Sequence, residues 1–168
     1  MAYWACARLE SRREAVAQHF LQLAGYQVYI PQVREQRLRR SRRVEIITPL
    51  FPAYAFIVIE RQWHSARWSI GVTALIMDGV APAKVPDQVI DEIRTREVRG
   101  AVELPQAPGM QVGDRVRVLG GPFAGLTGLY AGMKPHARVE VLLALFGSRR
   151  NVTLPRGGIE LVPDAGEQ

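Results

Sequence analysis

Cysteine is almost missing from this chain: Cys6 is the sole one in 168 residues. No internal disulfide can form and no cysteine pair can hold zinc, so a buried, inert thiol is expected. Lysine is nearly as scarce, with Lys84 and Lys134 alone, and the positive charge is therefore almost all arginine. Histidine stops at His19, His64 and His136, with no metal-ligand spacing among them; each reads as a surface or satisfied structural residue. No apolar run approaches the roughly 18 to 20 residues needed to cross a bilayer. The N-terminus, MAYWACARLE, has no basic flank ahead of an apolar segment. A cytoplasmic monomer with no membrane partner is expected. The chain also lacks a G-x-S-x-G elbow and an H-E-x-x-H motif. Gly120-Gly-Pro-Phe-Ala-Gly125 is glycine-rich, but it has no Lys-Ser/Thr ending for a phosphate loop and puts Pro122 where a dinucleotide motif needs glycine. With carboxylates scattered over expected helix faces and turns, no catalytic site, metal or cofactor is expected: the protein reads as a binding protein, not an enzyme.

What is present is a 48% hydrophobic composition, enough for a packed core in one medium domain or two small ones, and a net charge of +6. Tyr3 to Ala7 reads as a strand. Ser11-Arg-Arg-Glu14 fits a capping box opening a helix, whose Val16, Phe20 and Leu23 recur at i, i+4 and i+7, with Gly25 as its stop. A strand at Tyr26 to Ile30 follows. Arg34 to Arg43 then packs six arginines and one acid into ten residues; their mutual repulsion suggests an exposed, mobile loop or hairpin tip. The third strand is TPLFPAYAFIVI, residues 48–59. Alternation puts Tyr54, Phe56 and Val58 on one face and Ala53, Ala55, Ile57 and Ile59 on the other, and neither face is polar. Trp63, Ala66 and Ile70 suggest a helix from Arg61 to Ile70. Val72 to Met77 reads as a strand ending in the Asp78-Gly79 turn, and Pro86 and Asp87 open a last helix burying Val89, Ile90 and Ile93. Strand, helix, strand, strand, helix, strand is the split βαβ, ferredoxin-like plan, with helices on one sheet face.

Gly100 to Gly109 has two prolines and two glycines without apolar periodicity and reads as a linker. Short strand-like runs follow at 115–119, 126–130, 138–143, 151–154 and 159–162, the spacing of a small barrel. The expected division is an N-terminal domain over 1–99, a linker over 100–110 and an SH3-like barrel over 111–168, an α+β chain overall.

Three readings compete for the Tyr54 strand. RNA-recognition modules carry K/R-G-F/Y-G/A-F-V-x-F/Y on the corresponding strand; Tyr54, Ala55 and Phe56 match, but the leading cation and glycine are missing and Ile59 replaces the last aromatic. A single-stranded RNA platform is thus one alternative, and a plain core strand another. The preferred reading is an apolar docking face for a protein.

Two stretches then carry a resemblance. Residues 112–128, VGDRVRVLGGPFAGLTG, resemble the KOW motif of NusG-type transcription factors, and 49–56, PLFPAYAF, the signature of their N-terminal domain. The match covers roughly 3–98 and 110–162 and includes the specialised antiterminator branch exemplified by RfaH. The resemblance implies a bacterial transcription elongation or antitermination factor. Its N-terminal domain docks on the clamp helices of RNA polymerase and suppresses pausing and termination, and its KOW domain recruits a ribosomal protein of the small subunit or Rho. Phe51, Pro52, Tyr54 and Phe56 would form the polymerase patch with Trp4 on its border, and His64 and Ser65 would touch the second polymerase arm, although Ala66-Arg67 departs from the RfaH pattern. Arg37, Arg39, Arg40, Arg42 and Arg43 are candidates for upstream or non-template DNA, against a solvated loop as the plain reading. Phe123, Leu145 and Phe146 are candidates for the KOW partner, against barrel packing. Some RfaH relatives hold the C-terminal domain as a helical hairpin over the docking face, and Leu142 to Phe146 could be helical, whereas β-branched residues at 112–118 and 151–153 favour the barrel.

Overall fold

A computed structural model describes residues 1–103, 116–118, 135–136, 138–139, 142–143 and 159–161. The first strand, β1 (Tyr3–Leu9), leads to α1 (Glu14–Leu23), then β2 (Val28–Tyr29), the long pair β3 (Gln32–Arg39) and β4 (Arg42–Pro49), and β5 (Tyr54–Ile59). After these come α2 (His64–Arg67), β6 (Val72–Leu75), the small hairpin β7 (Met77–Asp78) and β8 (Ala81–Pro82), and α3 (Asp87–Thr95). Next are β9 (Glu97–Val98) and β10 (Ala101–Val102), and then β11 (Val116–Val118) and β12 (Ile159–Leu161). The central sheet has the order β2-β5-β1-β6 and is antiparallel throughout. That is the ferredoxin-like order expected from the sequence. A second sheet, β4-β3-β10-β9, adds the long hairpin to a parallel pairing of Val102 with Val33.

Several expected elements change. The capping box does not form: Arg12 takes a positive φ of 62° and the helix is preceded by Arg13 with no side-chain cap. Glu14 instead accepts a hydrogen bond at 3.1 Å from the backbone N–H of Ala53, tying α1 to the turn before β5. Gly25 does end the helix as expected. At φ +95° it donates to Gln22 O while Tyr26 donates to Leu21 O, both at 3.0 Å, the Schellman pattern. The run read as one strand from Thr48 is split, because Thr48 and Pro49 close β4 while Ala53, at φ 67°, turns the chain into β5. The second helix shrinks to a single turn. Ala101 and Val102, expected in a linker, are buried strand residues, and 104–110 lie outside the described residues.

The largest departure is in the C-terminal part. β11 and β12 pair antiparallel as two of the expected barrel strands. The strand expected at 138–143, however, is helical at 138, 139, 142 and 143, as are Pro135 and His136. Val139 and Leu142 there pack on the aromatic face of the central sheet. Strand propensity is mostly a matter of surroundings, and an available apolar face overrides it. The other expected barrel strands, with Phe123, Leu145 and Phe146, lie outside the described residues.

Candidate docking surface

Alternation along β5 sends its side chains into two separate clusters, as the sequence pattern requires. Ala55, Ile57 and Ile59 join Ala5, Ala7 and Leu9 of β1 beneath Ala17 and Leu21 of α1 and Ala66 of α2. Tyr54 and Phe56 join Trp4 and Cys6 on the opposite face. Cys6 is buried, which pushes its thiol well above the ordinary range, as expected of an inert residue.

The Tyr54 face was expected as a docking face for a protein, with a helical C-terminal hairpin over it as an alternative, and here it is covered. Ile90 and Ile93 of α3, Val85, Val33 and Val102 of the second sheet and Leu142 close over it. Phe51 and Phe56 meet edge to face at 6.2 Å, and Phe56 stacks on Tyr29 at 6.3 Å. Trp4, Phe51, Tyr54 and Phe56 are all buried and Pro52 is half-buried. The rings are thus brought together as a patch, but this state leaves no ring open for a base to stack on. That removes the observation favouring a single-stranded RNA platform.

Arg138 fastens the cover. Its side chain is fully buried; Nε donates to Leu50 O at 2.8 Å and an η-nitrogen donates to Glu35 at 2.5 Å. Burial lowers the guanidinium pKa, and Glu35 opposes that shift. Glu35 also faces Arg37 at 3.5 Å. Sequence reasoning missed this ion pair, although Glu35 is the only acid within the arginine run and Arg138 and Leu142 are spaced i, i+4.

The arginine run is a hairpin tip rather than a loose loop. β3 and β4 pair from Gln32 with Pro49 to Arg39 with Arg42, leaving Arg40 and Ser41 at φ 48° and 64° as a two-residue turn with both central φ positive. Pairing places Glu35, Arg37, Arg39 and Arg42 on the face shared with buried Val33, and Arg43 on the other. Arg34 is structural: it donates to Val98 O at 2.9 Å and Arg99 O at 3.3 Å and pairs with Glu45 and Glu103. Arg37, Arg39, Arg40, Arg42 and Arg43 are exposed.

His64 and Ser65 are not part of the patch. His64 stacks on Trp63 at 3.8 Å, and the Ser65 hydroxyl bonds that of Tyr26, on the α1 and α2 side of the sheet. Among the described residues no cluster of ligating side chains could hold a metal, and no helix is long and apolar enough to cross a membrane.

Comparison with known proteins supplies a family match. The family model described as transcription termination factor nusG matches residues 2–94. The transcription termination/antitermination protein NusG of Thermus thermophilus is 32% identical over 160 residues, covering 88% of this chain and 85% of that protein. Its counterpart in Vibrio vulnificus is 28% identical over 158 residues, covering 90% and 86%, and that of Deinococcus radiodurans 27% over 147 residues, covering 77% of each. Among solved structures, one describing domain interaction in Thermotoga maritima NusG aligns at TM-score 0.45 and 20% identity over 77% of this chain and 78% of that one.

Proposed function

Since the chain belongs to the NusG family of transcription factors, we propose that it is an elongation or antitermination factor whose Trp4, Phe51, Pro52, Tyr54 and Phe56 patch docks on the clamp helices of RNA polymerase. The observation that carries this reading is a dense aromatic patch over which Leu142 closes, with Arg138 beside it in a buried ion pair with Glu35. A cover built only for stability has little use for a fully buried arginine, because well-packed apolar side chains serve as well or better. A pair that loses its attraction when the segment leaves is suited to a switch. The protein then has a closed state, with Leu142 and Arg138 on the patch, and an open one in which the polymerase takes their place. The KOW region, freed from the patch, recruits a ribosomal protein or Rho. The exposed tip arginines add salt-dependent contact with upstream or non-template DNA.

The test is capture of core polymerase by the full chain. Leu142→Asp, which expels the cover without touching the sheet, is expected to raise capture. Adding Tyr54→Ala and Phe56→Ala to it is expected to abolish capture while circular dichroism keeps the native spectrum. Equal capture by unaltered protein and Leu142→Asp would reject the closed state, and undiminished capture by the triple variant would reject the patch.

A further inference from the structure

At the border of the aromatic face, a cation sits between two rings. Arg94, exposed on the last turn of α3, places its Cζ 4.9 Å from the Tyr29 ring centroid and 5.4 Å from that of Trp4. The rings meet edge to face at 66° and 6.4 Å, so they form two walls of a notch. An acid lies at the far edge of the Tyr29 ring, where the Tyr29 hydroxyl donates to Glu97. Among the described residues the Arg94 guanidinium has no carboxylate within ion-pair distance, and its charge rests on the ring faces. Two aromatic faces and a nearby carboxylate make a cage for a guanidinium or ammonium group.

We propose that Trp4, Tyr29 and Glu97 form a cation-binding notch in which Arg94 is a resident stand-in, and that the polymerase surface docking on this face inserts an arginine or lysine there in its place. The proposal rests on the docking reading above and gives it a polar specificity element beside the apolar patch. Trp4 links the two, since its ring belongs both to the buried cluster and to the notch. Arg94 is well suited to yield. Among the described residues no ion pair holds it, so it swings into water for the loss of its cation-aromatic contacts, while its charge discourages cations from entering before the correct partner arrives. A partner without a cation at that place would leave Arg94 where it is and gain nothing from the notch.

The notch is tested first without polymerase. In ¹⁵N-labelled Arg94→Ala protein, N-acetyl-arginine methylamide is expected to shift the Trp4 indole N–H signal saturably. The norleucine analogue is expected not to, and unaltered protein to respond weakly because the notch is filled. No saturable shift in Arg94→Ala overturns the notch. In the Leu142→Asp background, Arg94→Ala is then expected to bind core polymerase about fivefold tighter, the scale of one vacated cation-aromatic contact. Adding Glu97→Gln and Tyr29→Leu is expected to remove that gain. Unchanged or weaker binding by Arg94→Ala overturns the partner's cation. Polymerase binding that survives Tyr54→Ala and Phe56→Ala removes the docking reading instead, and the indole titration still decides the notch.

Discussion

The two faces of the central sheet are sealed with different materials. On the α1 side small side chains, Ala5, Ala7, Ala17, Ala55 and Ala66, lie among Leu9, Leu21, Ile57 and Ile59 and let helices approach closely. Gly71 is the extreme: a Cβ there would lie 2.8 Å from that of Ala17, and its φ of +89° suits only glycine. On the Tyr54 side the contact is made by large rings, and part of the lid comes from the distant Val139 and Leu142, with Arg138 held by an ion pair. Close packing of small groups leaves no intermediate arrangement. A sheet face carrying broad aromatic surfaces can exchange one apolar cover for another of similar shape. On the proposed function, the first face is the permanent core and the second the replaceable one.

Equivalent truncations on the two faces should separate them most strongly. Leu21→Ala, under α1, is expected to lower global stability by about 3 kcal/mol in urea unfolding, with no gain in polymerase capture. Leu142→Ala is expected to leave the main transition nearly unchanged, while rendering the C-terminal region sensitive to protease and raising capture. Equal losses of global stability would erase the distinction. Gly71→Ala, which overpacks and strains the permanent face, is expected to cost about 2 kcal/mol, read as a lowered Tm. The ion pair should act on the same cover. Glu35→Ala takes the carboxylate from the Arg138–Glu35 pair and Arg138→Ala takes the guanidinium. Protease sensitivity of the C-terminal region should rise in both variants, and an unchanged cleavage rate in either would remove the pair from the closure. The smallest effect should come from the hairpin: replacing Arg39, Arg40, Arg42 and Arg43 with Gln should flatten the salt dependence of DNA-containing complexes without altering stability.

The central sheet was legible because its strands alternate and its helix stop is encoded by Gly25. The faces of β5 were assigned correctly for the same reason: period two leaves no choice once the strand is recognised. The hairpin was half legible. Repulsion among its arginines argued for an exposed tip, but nothing local shows that Arg34 is neutralised by the carbonyls of Val98 and Arg99 and by Glu45 and Glu103. The helical state at 138, 139, 142 and 143 was foreseen only as an alternative, for Leu142 to Phe146, through the resemblance to RfaH relatives. Local propensity spoke for a strand, and the deciding partner, the Tyr54 face, lies some eighty residues earlier in the chain. The notch at Arg94 had no sequence signature, since its two rings and its acid come from β1, β2 and β9 and its occupant from α3.

The long hairpin also has a mechanical consequence. Eight residues per strand, at about 3.4 Å each, carry the Arg40-Ser41 turn roughly 25 Å from its base. Glu35 and Arg34, near that base, are where the hairpin is clasped by Arg138 and by the β9–β10 strands. A tilt of about 10° at the base would sweep the far end through roughly 4 Å, so any movement at the clasp would be magnified at the turn.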